Sequence, residues 1–255
     1  MHHHLAPALS VIVPAYNEAA RIGPTLRRIA TYLDALGDPY EVIVVDDGSR
    51  DRTRDVVGEI GYETSHIRLL PLERNQGKGA AVRAGVLASS GREVLFSDAD
   101  LSTPIEELVR LRRALADGAD VAIGSRTAAT DEVVRTQPLG RRLQGCAFHL
   151  LVRALGYDVL TKIGDSQCGF KLFRGDVARA LFAKLTLAGF AFDVELLALA
   201  HPRFRIDEVA VAWHHAPGSK VRPGIDAAVM LWNLVQLRFR SITNPSPLAL
   251  PESAR

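Results

Sequence analysis

Five short apolar runs, separated by stretches of helical spacing, constrain the first half of this chain more than any other feature. They are Ser10-Val11-Ile12-Val13, Glu41-Val42-Ile43-Val44-Val45, Ile67 to Leu70, Val94-Leu95-Phe96 and Val121-Ala122-Ile123. Between them, Ile22, Leu26, Ile29 and Leu33 recur at helical spacing within Glu18 to Leu36. A short helix follows Ser49, an Ala-rich one spans Gly79 to Ser89, and Pro104 opens another that carries Ile105, Leu108, Leu111 and Leu115. Continuous apolar runs of this length are strands buried on both faces. Alternated with helices, they make an α/β fold whose central sheet is mostly parallel, joined by right-handed crossovers and flanked by helices.

The polar and glycine-rich clusters fall where the strands end: Asn17-Glu18, Asp46-Asp47-Gly48-Ser49, Asp98-Ala99-Asp100 and Gly124-Ser125-Arg126. Open α/β sheets bind ligands outside the carboxyl ends of their strands. Clusters from separate strands therefore converge on one crevice, and a nucleotide or sugar-nucleotide site is expected there. Residues 9–240 are expected to form one domain, with a nucleotide-sugar half over 9–125 and an acceptor half over 126–240. Met1-His2-His3-His4 resembles a purification-tag remnant, so residues 1–8 and the proline-rich tail 241–255 are left out of it.

Composition narrows the function. The 255 residues carry 31 Lys+Arg against 29 Asp+Glu, without the basic excess of a nucleic-acid binder. Two cysteines, Cys146 and Cys168, cannot make a disulfide scaffold and lack the spacing of a zinc site. The longest apolar stretch, Ala227 to Leu237, is about half the length needed to span a bilayer. No signal peptide is expected. Residues 134–175 hold seven Lys/Arg and two acids, a local basic surface suited to an anionic partner. The segment Ile225 to Arg240 is apolar around most of a helix, which suits burial, a homodimer contact or a membrane surface.

Asp98 and Asp100 carry the clearest chemistry. Two carboxylates one residue apart at the mouth of a sheet are hard oxygen ligands for Mg²⁺ or Mn²⁺ bridged to a diphosphate. Asp46-Asp47-Gly48-Ser49 combines carboxylates for a ribose or base with a tight turn and a helix cap. Asn75-Gln76-Gly77-Lys78-Gly79 lets backbone and lysine approach phosphate. No GxGxxG, GxxxxGK[ST], GxSxG or HExxH motif is present, which disfavours dehydrogenases, P-loop enzymes, serine hydrolases and zinc proteases.

These residues carry a resemblance. Val11-Ile12-Val13-Pro14-Ala15-Tyr16-Asn17-Glu18, Val44-Val45-Asp46-Asp47-Gly48-Ser49, Asn75 to Gly79 and Ser97-Asp98-Ala99-Asp100 resemble the ordered signature of the family 2 glycosyltransferases. Gly124-Ser125-Arg126, Asp165 to Lys171, Phe192-Asp193-Val194-Glu195 and Gly218-Ser219-Lys220 are similar to its dolichyl-phosphate glucosyltransferase and polyprenyl-phosphate glycosyltransferase branch. The resemblance implies a GT-A-type nucleotide-diphospho-sugar transferase fold. It implies that Pro14, Tyr16, Glu18, Asp46, Asp47, Lys78, Asp98 and Ala99 hold the nucleotide, and that Asp98 and Asp100 hold the metal. Arg126, Arg141, Arg142, Gln167, Cys168, Gly169 and Lys220 would serve the acceptor and sugar, and Asp193 is a further catalytic candidate.

The implied reaction moves a hexose from a UDP-sugar, glucose first, onto a polyprenyl or dolichyl phosphate, inverting the anomeric centre. The mannose-synthase branch resembles Asp-Ala-Asp-Leu-Gln, whereas Ser102 stands in the glutamine's place here, which favours UDP over GDP-mannose. A lipid phosphate is already anionic and needs no base. A hydroxyl acceptor would need one, and Asp193 or Glu195 would be the candidate. The implied setting is the cytoplasmic face of a membrane, met peripherally. A soluble hydroxyl acceptor and a binding-only protein are the alternatives.

Overall fold

The computed structural model describes residues 6–126, 163–201, 203–214, 229–237 and 239. All five apolar runs are strands: β1 (Leu9–Ala15), β2 (Tyr40–Asp46), β3 (Ile67–Pro71), β4 (Glu93–Ser97) and β5 (Val121–Ser125). Between them lie α1 (Ile22–Leu36), α2 (Thr53–Glu63), α3 (Lys78–Leu87) and α4 (Leu108–Ala116), the last entered through a 3-10 turn at Ile105–Glu107. Helix α1 starts four residues later than its spacing predicts. Glu18 stays outside it, and its carbonyl accepts the N–H groups of Arg21 and Ile22. Gly37 ends α1 in the left-handed conformation that suits a glycine C-cap.

The second half adds β6 (Phe170–Arg174), β7 (Ile206–Ala210), α5 (Gly175–Lys184) and α6 (Phe192–Ala200). The sheet order is β3-β2-β1-β4-β6-β5-β7. Neighbours are parallel except β6, which runs antiparallel between β4 and β5. The apolar-run pattern does not reveal β6, because Lys171 interrupts it, nor β7, an edge strand that carries Asp207 and Glu208.

Side chains alternate along each strand and so feed two cores. Ile12, Ile43, Val45 and Phe96 pack with α3, α5 and α6 on one face of the sheet. Val11, Val13, Val42, Val44 and Leu95 pack with α1, α2 and α4 on the other. Each fully buried Ile, Leu, Val or Phe adds about 1.5–3 kcal/mol of favourable transfer free energy. Strand β5 is buried throughout, and β1 and β2 are buried except at Pro14 and Glu41, as near-continuous apolar runs require.

Residues 229–237 are helical. Leu234 is buried, and Met230 and Leu237 pack against the α3–α5–α6 core. Val229, Trp232 and Phe239 are exposed, so this stretch is buried on one side only. Among the described residues no helix is long and apolar enough to cross a membrane.

Candidate active site

Strand order reverses about β1, with β2 on one side of it and β4 on the other, and a cavity of about 700 Å³ opens there at the strands' carboxyl ends. Pro14 enters it from the end of β1, Tyr16 and Glu18 from the β1–α1 loop, Asp47 from just past β2, Asn75, Gly77 and Lys78 from the turn into α3, and Asp98, Ala99 and Asp100 from just past β4.

Loop-to-loop hydrogen bonds hold this rim. The Asn17 N–H donates to Ser49 Oγ at 2.9 Å, the Glu18 N–H to Thr53 Oγ1 at 2.8 Å, and the Arg50 N–H to Asn17 Oδ1 at 2.8 Å. The Asp47 carboxylate accepts the N–H groups of Gln76 and Gly77 at 2.7 and 2.8 Å, tying β2 to α3. Burial pushes the Asp47 carboxyl up despite those two bonds. Gly77 has φ +105°, and a Cβ there would meet the Ala188 carbonyl oxygen at 2.5 Å, so only glycine fits this turn.

Lys78 Nζ pairs with Asp98 Oδ1 at 2.7 Å and stands 5.1 Å from the centre of the Phe96 ring. Asp100 Oδ1 accepts the Ser102 N–H at 3.0 Å, and its Oδ2 lies 3.8 Å from Arg21 Nη1. Arg21 in turn pairs with Glu18. The lining therefore holds four carboxylates, Glu18, Asp47, Asp98 and Asp100, against two cations, Arg21 and Lys78. That excess of oxygen donors fits a divalent cation that takes one or two carboxylates and completes its shell with phosphate oxygens.

Eight of the residues expected at the nucleotide and metal line this cavity: Pro14, Tyr16, Glu18, Asp47, Lys78, Asp98, Ala99 and Asp100. Asp46 does not. It is fully buried beneath the rim, where it accepts the Ser49 N–H and pairs with Arg54. Arg126, Gln167, Cys168, Gly169 and Asp193 are not in the lining either. Arg126 commits Nε and Nη2 to Asp165 at 2.6 and 2.7 Å, with Nη1 left as the donor edge not used on that partner. Gln167 Nε2 is buried and finds no hydrogen-bond partner among the described residues. Cys168 is buried, and desolvation pushes its thiol up to about 11. Gly169 abuts Asp98, whose N–H donates to the Gly169 carbonyl at 3.0 Å.

Asp193 is clamped by Lys171 at 2.6 Å, and Glu195 accepts the N–H groups of Thr186 and Leu187. Arg141, Arg142 and Lys220 lie outside the described residues. The motif reading missed Arg21, Phe190 and Asn233 in the lining. Arg21 sits three residues after Glu18, a spacing that was available as a signal. Phe190 and Asn233 reach the cavity only through tertiary packing.

The fold is that of a nucleotide-sugar transferase. The model of glycosyl transferase family 2 matches residues 10–182, and the chain belongs to that family. It is a glycosyltransferase with a GT-A-type fold. Within the family it is similar to dolichyl-phosphate beta-glucosyltransferases: 42% identical over 231 residues to that of Drosophila melanogaster, covering 84% of this chain and 69% of the relative. The Homo sapiens protein of the same name is 37% identical over 249 residues, covering 92% of this chain and 76% of the relative. Among solved structures, glucosyl-3-phosphoglycerate synthase from Mycobacterium tuberculosis, in complex with Mn²⁺, UDP and glucosyl-3-phosphoglycerate, matches with TM-score 0.69 at 22% identity. That match covers 97% of this chain and 82% of the other. Mannosyl-3-phosphoglycerate synthase from Rubrobacter xylanophilus matches with TM-score 0.64 at 19% identity, covering 97% and 79%.

Proposed function

We propose that this protein transfers glucose from UDP-glucose to a dolichyl or polyprenyl phosphate, forming a β-linked lipid-phosphate sugar by a single inverting displacement. The observation that carries the reading is the juxtaposition of Asp98, Asp100 and Lys78 in one cavity at the sheet's switch point. The high identity to dolichyl-phosphate beta-glucosyltransferases supports both the sugar and the acceptor.

In this reading Pro14, Tyr16 and Asp47 contact the nucleoside, and Lys78 meets the diphosphate. Asp98 and Asp100 would hold Mg²⁺ or Mn²⁺, which when bound supplies positive charge to the departing diphosphate. Arg21 holds Glu18 in place beside Asp100. The acceptor phosphate is itself the nucleophile, so no side chain has to remove a proton. This accords with Asp193 being engaged by Lys171 rather than aimed into the cavity. Arg126 would meet the acceptor with guanidinium donors that Asp165 does not take, its Nε and one Nη2 N–H being held there. The acceptor half includes Arg141, Arg142 and Lys220 as further phosphate-binding candidates. The enzyme would work peripherally, at the cytoplasmic face of the membrane that carries its acceptor.

UDP release tests the reading. UDP-glucose, UDP-N-acetylhexosamines and GDP-mannose are compared with Mg²⁺ or Mn²⁺, with and without a short polyprenyl phosphate. Release that needs the lipid phosphate and prefers UDP-glucose is expected. Release indifferent to the lipid would move the acceptor to a soluble hydroxyl.

A further inference from the structure

Lys171 is fully buried in the middle of β6, paired in register with Phe96 of β4 and Ile123 of β5. Its ammonium donates to Asp193 Oδ1 at 2.6 Å and to the Cys168 carbonyl at 2.6 Å, and stands 5.8 Å from the Phe96 ring centre. One side chain thus fastens α6, through Asp193, to the loop that leads into β6. That loop is the wall behind Asp98. The residue after Cys168 is Gly169, whose carbonyl accepts the Asp98 N–H at 3.0 Å. A Cβ on Gly169 would lie 1.9 Å from Asp98 Oδ2, so the backbone there is pressed against the carboxylate.

Stability alone does not call for this arrangement. A buried ion pair can often be exchanged for well-packed apolar side chains with no loss, or with a gain. What an apolar pair cannot do is hydrogen-bond the Cys168 carbonyl and hold the loop at a set distance. We infer that Lys171, clamped by Asp193, is a positioning residue that holds the Cys168–Gly169 backbone against Asp98 and so fixes the aim of that carboxylate into the donor cavity. Asp193 then acts as the counter-ion of Lys171. The inference deepens the proposed donor site and rests on Asp98 facing the nucleotide diphosphate there.

The test is the double variant Lys171→Met/Asp193→Leu, followed by thermal melting and by calorimetric titration of UDP with and without Mn²⁺. The expected result is an unchanged or raised melting temperature with UDP affinity in Mn²⁺ about tenfold weaker, the loss typical when a support behind a metal ligand is removed. Wild-type UDP affinity in the double variant would overturn the inference. If that variant does not fold, Gly169→Ala takes its place, since it displaces Asp98 without touching the pair. It should show the same weakening, and unchanged affinity would again overturn the inference. Asp193→Asn keeps an acceptor for Lys171, and UDP release should persist within about tenfold of wild type. A complete loss of turnover with UDP binding intact would instead put Asp193 in the chemistry. UDP binding requires no acceptor, so failure of the lipid-phosphate reading leaves this test readable.

Discussion

Lys78 Nζ lies 2.7 Å from Asp98 Oδ1, joining the first residue of α3 to the residue that follows β4. Burial acts to lower the ammonium's pKa, but the carboxylates of Asp98, Asp193 and Asp100 outweigh it and hold it above its ordinary value. The cavity therefore keeps a cation through neutral and alkaline pH, beside the carboxylate pair.

Lys78→Met should raise the UDP dissociation constant about tenfold to a hundredfold, because a hydrogen bond to a charged group contributes about 1.5–3 kcal/mol. Calorimetry reads this directly. In the wild type, UDP affinity between pH 7 and 9 should show no loss traceable to Lys78 deprotonation. A variant that binds UDP as the wild type does would leave Lys78 as a structural partner of Asp98 only.

Asp100→Ala should lower UDP release at least a hundredfold while shifting the melting temperature little. The residue is half-buried, and its contacts are the Ser102 N–H and a long approach to Arg21, neither of which joins core elements. The loss would stem from a missing cation ligand at the leaving diphosphate. UDP release and thermal melting are measured on the same sample, and full activity would remove Asp100 from the metal site.

The Arg126–Asp165 pair should make stability depend on acidity. Burial pushes the Asp165 carboxyl up, but hydrogen bonding to Arg126 and its charge outweigh this and leave it below the ordinary 3.8. A folded-state value below the unfolded one contributes stability that is fully present above the unfolded pKa and lost as pH falls through the folded one. Asp165→Asn should therefore melt roughly 4–8 °C lower at pH 7, from the loss of about 2 kcal/mol in a partly exposed pair. The gap between variant and wild type should close as pH falls below the ordinary carboxylate range, through the lowered folded-state pKa of Asp165. A gap independent of pH would assign the effect to packing instead.

Cys168 should resist alkylation in the folded protein. It is 1% exposed, and burial pushes its thiol up to about 11, so at pH 8 the reactive thiolate is scarce and shielded. Iodoacetamide at pH 8, followed by peptide mass analysis, should leave Cys168 unmodified in native protein and modify it in denaturant. Rapid native labelling would mean that the loop before β6 opens readily.

Much of the donor half was legible in the chain itself. Strands buried on both faces need uncharged runs, and strand ends that meet ligands need carboxylates, glycines and turn formers. Glu18, Asp47, Lys78, Asp98 and Asp100 could thus be named before any packing was known, and the resemblance to the family added Pro14 and Tyr16. Periodicity and turn chemistry are short-range properties, and they depend on residues a few positions apart. They determined the parallel β1–β4 frame, the helices between its strands and the carboxylate pair at its mouth.

Tertiary structure decided the rest, because burying a charge depends on a partner that can be far away in the chain. Lys171 breaks an apolar run and hides β6, yet it is buried because Asp193 reaches it from 22 residues downstream. Arg126 is paired with Asp165, 39 residues on. Adjacent Asp46 and Asp47 look equivalent in sequence. Asp46 is the last residue of β2 and is sealed beneath the rim against Arg54, while Asp47, just past the strand, faces the cavity. Which carboxylate binds a ligand and which one holds the fold follows from the segments that pack against it, and no local pattern contains that information.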